Sequence, residues 1–198
     1  MVKSFHNVAI IGEYTMVSLN TPICEFGWLA KDFNLLGVDG QQWNLSKAMG
    51  LNGLVIMFIC NHCPYVKAIL PRLVSDLGEL KKIGINTIAI SSNDVINYPD
   101  DSYEYMQKIS RDNQFHFPYL FDETQQVAKK YSAICTPDFF GFNNLYELQY
   151  RGRFDSTGRG EPPKDNQKDL YNAMKLVVET GKGPKAQFSS IGCSIKWK

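Results

Sequence analysis

The sequence lacks an excess of charge of either sign and any long uncharged apolar run. Its 198 residues carry 21 Lys and Arg against 20 Asp and Glu, for a net charge of +1. A nearly neutral chain has no electrostatic footprint for nucleic acid or an anionic membrane surface. No stretch approaches the roughly 18 apolar residues of a membrane span. We therefore expect neither a nucleic-acid partner nor a membrane partner.

The N-terminus lacks the features of a secretory signal. Its apolar run at 8–11 is short and is followed by Glu13, whereas a signal peptide needs an apolar region of about 7–15 residues and a cleavage site. We expect a cytoplasmic protein, which would work in a reducing compartment.

The sequence also lacks the cysteine framework of a disulfide-stapled protein and the ligand sets of a structural metal site. It has five cysteines, at positions 24, 60, 63, 135 and 193. This odd number with irregular spacing is a poor disulfide framework for a chain of this length. Structural zinc needs four ligands, and only Cys60 and Cys63 are closely spaced. We expect no metal and no cofactor apart from a redox-active disulfide.

What the sequence does have is a C-x-x-C motif at the end of an apolar strand. The run Leu54-Val-Ile-Met-Phe-Ile leads into Cys60-Asn-His-Cys63-Pro64. An amphipathic helix follows, with apolar residues at helical spacing through Leu80 and with Pro64 in its first turn. Two thiols at such a strand-to-helix junction can close a small disulfide. The helix N-terminus favours a thiolate on the first sulfur.

The rest of the chain alternates between strand-like and helix-like segments. Strands are expected at 33–38 and 41–43, which form a hairpin around Asp39-Gly40, and at 54–59, 83–91, 117–121, 139–142 and 145–150. Helices are expected near 45–50, 64–80, 102–112, 122–131 and 168–179. We interpret the acidic pair Asp100-Asp101 as a helix-start signal. The alternation predicts an α/β fold with a mixed sheet and helices on both faces.

Thr136-Pro137 lies far downstream of the C-x-x-C motif and just before a hairpin. With this pair, the chain resembles the thioredoxin superfamily, and within it the redoxin or thiol-peroxidase-like (AhpC/TSA-type) branch. The closing Gly192-Cys-Ser-Ile-Lys-Trp197 resembles the C-terminal signature of a bacterial subgroup of thioredoxin-like proteins. The resemblance implies one thioredoxin-like domain over 1–198. Its core covers about 25–180, with an N-terminal extension at 1–24, an N-terminal hairpin and a C-terminal tail at 181–198.

The resemblance also implies roles for individual residues. Cys60, the more exposed sulfur, is expected to be the nucleophile, and Cys63 the resolving thiol. Pro137 is expected to be a cis-proline opposite the motif, with the Thr136 backbone pairing with an extended substrate. Tyr65, beside the motif, is a candidate for lining a substrate groove; the alternative is a core aromatic residue.

Three further side chains have open assignments. A protonated His62 would lower the pKa of Cys60 and make the pair more oxidising, which conflicts with a cytoplasmic reductant. Cys135 and Cys193 are candidate auxiliary thiols. For Cys193 this requires the tail to fold back, and for Cys135 the alternative is a small buried residue.

The sequence departs from its relatives' patterns at two places. Leu54 stands where many thioredoxins carry a buried carboxylate that accepts a proton. Proton transfer would then fall to Glu25, His62, Lys67 or water. Peroxiredoxins carry a proline and a threonine upstream of their reactive cysteine, and here those positions hold Gly53 and Met57.

The function predicted from the sequence is thiol–disulfide oxidoreduction by a Cys60/Cys63 pair. One alternative is a thiol-dependent peroxidase, and a second is a metal-binding or structural module that uses the same cysteines. The expected partners are disulfide-containing proteins or small thiols together with an upstream reductant. We expect a monomer or a weak homodimer.

Overall fold

The computed structural model describes residues 18–198, so residues 1–17 of the predicted N-terminal extension lie outside the described residues. Within 18–198 the chain forms ten strands and five α-helices. The strands are β1 (Ser18–Asn20), β2 (Asn34–Gly37), β3 (Gln42–Asn44), β4 (Gly53–Phe58), β5 (Ile85–Ser91), β6 (Tyr119–Phe121), β7 (Cys135–Thr136), β8 (Asp138–Asn143), β9 (Leu148–Gly152) and β10 (Ile191–Ser194). The helices are α1 (Leu45–Ala48), α2 (Pro64–Lys82), α3 (Tyr103–Asp112), α4 (Gln126–Lys130) and α5 (Asp169–Thr180).

The larger sheet formed by the described residues has seven strands in the order β3-β2-β6-β5-β4-β8-β9. Strand β5 runs parallel to both β4 and β6. The β2–β3, β2–β6, β4–β8 and β8–β9 pairs are antiparallel. The sheet is therefore mixed, as the sequence predicts. All six residues of β4 are buried, which explains the unbroken apolar run that precedes the first cysteine.

Helices cover both faces of this sheet. Val55 and Met57 of β4 point into a cluster with the apolar sides of α2 and α5. The alternate residues Ile56 and Phe58 point into a second cluster with α1 and α4. The predicted two-sided α/β arrangement is confirmed.

Helices α1 and α2 begin at the residues that the sequence predicts. Asn44 caps α1 by accepting a hydrogen bond from the Lys47 N–H at 2.8 Å. Cys63 occupies the N-cap position of α2, and Pro64 is the first helical residue, where its missing N–H costs no intrahelical hydrogen bond. The motif's second cysteine is therefore fixed at the helix N-terminus.

The two ends of the described chain form a second, smaller sheet, which the sequence did not predict. Strand β10 lies between β1 and β7 and is antiparallel to both. The segment at 181–198 is thus more than a tail beside a core at 25–180, because residues 191–194 form the central strand of this sheet. Among the described residues, no helix is both long enough and apolar enough to span a bilayer.

Candidate active site

The C-x-x-C motif lies in the short loop between β4 and α2. Both cysteines are buried: the exposed fraction is 2% for Cys60 and 0% for Cys63. Neither forms a disulfide in this structure. Cys60 is the more exposed of the two, as predicted, but only by this small margin.

Thr136 brings the two motif cysteines together with the downstream Thr-Pro pair. The Thr136–Pro137 peptide bond is cis, as predicted. The Cys60 Sγ lies 3.3 Å from the Thr136 hydroxyl oxygen. The Cys63 Sγ lies 3.1 Å from the Thr136 carbonyl oxygen, which accepts a hydrogen bond from Cys63 when this thiol is protonated. Three of the residues singled out from the sequence therefore meet at one point.

A third sulfur joins this cluster. The Cys193 Sγ, on β10, lies 3.2 Å from the Cys63 Sγ. Cys193 pairs in register with Thr136. The tail does fold back onto the motif, which is the condition that the sequence interpretation of Cys193 required.

The pairing of Cys193 with Thr136 occupies the backbone edge that the sequence analysis assigns to a substrate. The sequence assigns the Thr136 backbone to an extended substrate, but the structure pairs this residue with the chain's own β10. Gly192 makes the close approach possible, because a Cβ atom there would lie 2.1 Å from the Thr136 carbonyl oxygen. Any larger residue at 192 would push β10 away from β7.

A buried carboxylate holds the motif loop from the other side. Asp101 is fully buried, and its Oδ1 accepts hydrogen bonds from the backbone N–H groups of Asn61 at 2.7 Å and His62 at 3.3 Å. Its Oδ2 lies 2.6 Å from the His62 Nδ1 and accepts from the Asn93 amide at 2.7 Å. Asp100 and Asp101 do lie at a helix start, in the 3-10 helix just before α3, and the Asp101 side chain in addition holds the motif loop.

Sequence reasoning missed this role because Asp101 is 39 residues away from His62 and belongs to a short 3-10 helix, Pro99–Asp101. Its neighbour Asp100 is exposed, and nothing in the sequence shows which of the two carboxylates is buried. The one available signal would have been the absence of a carboxylate at Leu54, which leaves that role open to another acidic residue.

The sequence analysis predicts that the helix N-terminus lowers the pKa of Cys60, but in the structure this pKa is raised. Burial raises the pKa of Cys60, and the contact with Cys63 and the negative charge of Asp101 act in the same direction. The charge that shifts the pKa of Cys60 is therefore the carboxylate that holds His62. The lowering of this pKa by a protonated His62 stays a prediction, since the raised pKa arises from burial, Cys63 and Asp101.

The favoured thiolate is that of Cys63. Hydrogen bonds from the thiols of Cys193 and Cys60 lower the pKa of Cys63, and the Val66 N–H in the first turn of α2 adds to the effect. The pKa of Cys193 is raised, chiefly because its proton is held by Cys63. The positive end of the helix thus acts on the second sulfur of the motif.

Tyr65 and Cys135 occupy different surroundings. Tyr65 lines a cleft of about 290 Å³ beside Pro137 and Ile191, and the Arg159 guanidinium lies over its ring at 4.6 Å from the centroid. Cys135 is fully buried, and burial raises its pKa. Tyr65 is therefore placed to meet a ligand in this cleft, while Cys135 has the surroundings of a packed, unreactive thiol.

The site also contains atoms of the types that bind metals. The Cys60 Sγ, a ring nitrogen of His62 and a carboxylate oxygen of Asp101 all lie within 4.8 Å of one another. Both oxygens of Asp101 already accept hydrogen bonds from the motif loop or from Asn93. Three such groups fall short of the four-ligand set of a structural zinc site.

The mixed sheet, the C-x-x-C after β4 and the cis-proline opposite it define a protein of the thioredoxin-like class. The family model "AhpC/TSA family" matches residues 26–154. The chain belongs to this family. The proteins similar to it include a peroxiredoxin, and its fold is shared with thiol–disulfide oxidoreductases.

Three similar proteins illustrate this range. An uncharacterized conserved protein from Geobacillus kaustophilus is 39% identical and superposes with a TM-score of 0.88, covering 93% of this chain and 98% of the other. Peroxiredoxin Bcp of Escherichia coli (strain K12) is 25% identical over 126 residues, or 63% of this chain and 76% of its own length. The thioredoxin domain of a thiol-disulfide oxidoreductase from Bacteroides vulgatus shares the fold, with 15% identity and a TM-score of 0.60, covering 77% of this chain and 97% of that domain.

Proposed function

We propose that this protein is a thiol–disulfide oxidoreductase in which Cys60 and Cys63 cycle between dithiol and disulfide. The observation that supports this most strongly is the meeting of both thiols at Thr136, the residue before the cis-proline. A C-x-x-C motif at the start of a helix is an arrangement in which two thiols can exchange with a substrate disulfide.

The reaction starts with the removal of a proton from Cys60. The nearest acceptor is the Cys63 thiolate, which the surrounding thiols stabilise. The Cys60 thiolate then attacks one sulfur of a substrate disulfide, forming a mixed disulfide and releasing the other substrate sulfur as a thiolate. Cys63 then attacks the Cys60 sulfur and passes its proton to the departing substrate sulfur, which leaves as a thiol, and a Cys60–Cys63 disulfide remains.

The second role in this scheme belongs to Asp101 and His62. Asp101 positions the motif loop through the two backbone N–H groups that it binds. Its carboxylate, paired with His62, provides the buried acidic group that Leu54 does not. We assign Asp101 as a positioning residue that also raises the pKa of Cys60, and His62 as a positioning residue of the motif loop.

The raised pKa of Cys60 bears on the direction of electron flow. A low pKa at the attacking cysteine stabilises the reduced form and makes a pair oxidising. We propose that the pair acts as a reductant, because Cys60 is a buried thiol beside the Asp101 carboxylate, which disfavours its thiolate, and because the expected compartment is a reducing one. A cytoplasmic location and an upstream dithiol reductant are consistent with this direction.

The proposed substrates are disulfides of proteins or small thiols that enter through the cleft beside Pro137. Tyr65 lines that cleft with Phe154 and Ile191, so an apolar group next to the disulfide fits the walls. No cofactor other than the Cys60–Cys63 disulfide is part of the proposal.

Peroxide reduction is the second candidate function. Peroxiredoxin Bcp is among the similar proteins, and the Thr136 hydroxyl contacts the Cys60 sulfur, although the upstream threonine of peroxiredoxins is replaced by Met57. In this reaction Cys60 would take one peroxide oxygen as a sulfenic acid and release water or an alcohol, and Cys63 would displace a second water to close the disulfide.

The test is reduction of insulin disulfides driven by dithiothreitol, with Cys60→Ser and Cys63→Ser variants. We expect both to fall to the rate of dithiothreitol alone, while Cys24→Ser keeps the full rate. Cys24 is the matched control because it packs in the cluster on the other face of the sheet.

Retention of the wild-type rate by Cys60→Ser would overturn the proposal. A wild-type protein that leaves insulin intact but consumes peroxide faster than a free thiol would favour the second candidate. Stoichiometric zinc that protects Cys60 from alkylation would favour the metal-binding module.

A further inference from the structure

We propose that Cys193 is a third redox thiol, and that the oxidised protein exchanges its disulfide between the Cys60–Cys63 pair and a Cys63–Cys193 pair. This inference rests on the proposed function of the Cys60/Cys63 pair and extends it. It assigns the C-terminal strand a chemical role in addition to its structural one.

The first support is distance. The sulfurs of Cys63 and Cys193 are 3.2 Å apart, and a disulfide needs about 2.05 Å. A change of that size is within the reach of small side-chain rotations.

The second support is the way β10 is held. Before the strand, the Ser190 N–H donates to the Thr21 hydroxyl at 2.9 Å. After the strand, the Ile195 N–H donates to the Ile134 carbonyl at 3.1 Å, and the Lys196 N–H donates to the Asn93 side-chain oxygen at 2.9 Å. Because hydrogen bonds anchor both ends of β10, the Cys193 sulfur is held beside the Cys63 sulfur.

The third support is the position of Cys193 beside the residue that precedes the cis-proline. Cys193 pairs with Thr136, on the backbone edge that thioredoxin-like proteins offer to an extended substrate. Strand β10 therefore occupies the position of a substrate strand, and its Cys193 sulfur lies against the resolving thiol Cys63. A buried cysteine that served only as a small apolar residue would not need to face the active pair.

The exchange balances without any external oxidant or reductant. In the oxidised protein, Cys193 loses its proton and attacks the Cys63 sulfur of the Cys60–Cys63 disulfide. The Cys63–Cys193 bond forms, the Cys60–Cys63 bond breaks, and Cys60 leaves as a thiolate that takes up a proton. The proton that Cys193 loses is matched by the proton that Cys60 takes up, so the proton count on the three sulfurs is unchanged.

The consequence is an oxidised protein whose substrate-reactive cysteine is reduced. The disulfide is stored between α2 and β10, and Cys60 is again a thiol. The upstream dithiol must then reduce the Cys63–Cys193 bond, either directly or after the exchange runs backwards.

The experiment maps disulfides in the full chain after oxidation with diamide, acid quenching, alkylation, proteolysis and mass spectrometry. In Cys60→Ser, which leaves Cys63 without its motif partner, we expect the Cys63–Cys193 disulfide to form. It is expected to be lost in the double variant Cys60→Ser/Gly192→Ala, which keeps the same thiols but displaces β10 from Thr136. Cys60→Ser/Cys135→Ser is the matched control and is expected to keep the disulfide.

The outcomes separate this inference from the proposed function. If the wild type forms Cys60–Cys63 but Cys60→Ser leaves Cys63 and Cys193 as alkylated thiols, the third-thiol proposal fails and the proposed function stands. If the wild type forms neither linkage, both fail. A Cys193→Ser variant with native circular dichroism serves as the folding check, and it is expected to form only Cys60–Cys63.

Discussion

At the scale of single residues, burial and the charge of Asp101 outweigh the effect of the helix N-terminus on the pKa of Cys60. A helix N-terminus favours a thiolate, and the motif places Cys60 just before one. The structure buries Cys60 and sets the Asp101 carboxylate nearby, and both disfavour the charged form. The local rule does apply to Cys63, which occupies the N-cap itself.

The residue that sequence reasoning could not find is Asp101. The motif, the cis-proline and the auxiliary Cys193 are visible because each has a recognisable neighbour in the sequence. Asp101 acquires its role from a fold that brings residue 101 within 2.7 Å of the backbone of Asn61. No periodicity or spacing in the sequence specifies such a contact.

An Asp101→Asn substitution tests the assigned role. It removes the negative charge that raises the pKa of Cys60. We expect this pKa to fall by on the order of one unit, so that Cys60 is about tenfold more ionised at a given pH below its pKa. The measurement is the rate of alkylation of Cys60 by iodoacetamide as a function of pH, with the site located by mass spectrometry.

The control for this experiment is Asp100→Asn, because Asp100 is the exposed neighbour and contacts the motif only through its backbone carbonyl. Its profile is expected to match the wild type. An Asp101→Asn profile that is unchanged, or shifted to higher pH, would remove Asp101 from the mechanism.

At the scale of elements, the sequence predicts what local patterns determine. The buried strand β4 and the amphipathic helix α2 follow from runs of apolar residues at the spacing of each structure. The β2–β3 and β8–β9 hairpins follow from the alternation around their turns. Strand β10 does not follow, because four residues carry little pattern and its strand conformation comes from pairing with β1 and β7, which lie far away in the sequence.

The β8–β9 hairpin contains a buried ion pair that sets part of the stability. The Arg151 Nη2 lies 2.9 Å from the Asp138 Oδ2, and both side chains are buried. Burial raises the pKa of Asp138 to about 6, against the lowering effect of Arg151. Asp138 directly follows the cis-proline, so this pair also anchors the strand that leaves the site.

We expect Arg151→Met to lower the free energy of unfolding at pH 7 by about 3–5 kcal/mol, because it leaves a buried carboxylate without its partner. The measurement is urea unfolding. Lys82→Met is the control, since the Lys82–Glu79 pair is exposed and such pairs contribute about 0–1 kcal/mol. A loss no larger than that of the control would contradict this account of the hairpin.

The same ion pair makes the free energy of unfolding depend on pH. The pKa of Asp138 in the folded protein, about 6, exceeds the value of about 3.9 expected in the unfolded chain. The folded state therefore holds a proton that the unfolded state has lost, and this group's contribution to stability falls as the pH rises from about 4 to 6. In Arg151→Met the fall is expected to extend to higher pH.

At the scale of the whole molecule, the candidate site is assembled from four separate parts of the chain. These are the β4–α2 loop, the 3-10 helix with Asp101, the Thr136–Pro137 segment and β10. The sequence predicts the thioredoxin-like fold and the positions of the first and third parts. The proposed direction of electron flow depends on how all four meet, so the motif alone does not predict it.

The central claim is that Cys60 and Cys63 form a reducing dithiol–disulfide couple. The most direct test equilibrates the protein with mixtures of reduced and oxidised dithiothreitol and measures the fraction of thiols at both positions by alkylation and mass spectrometry. We predict a two-electron transition with a midpoint near the thioredoxin value of roughly −270 mV. Thiols that stay reduced at every ratio would contradict the claim, as would a midpoint near −120 mV, the value of a strong oxidant.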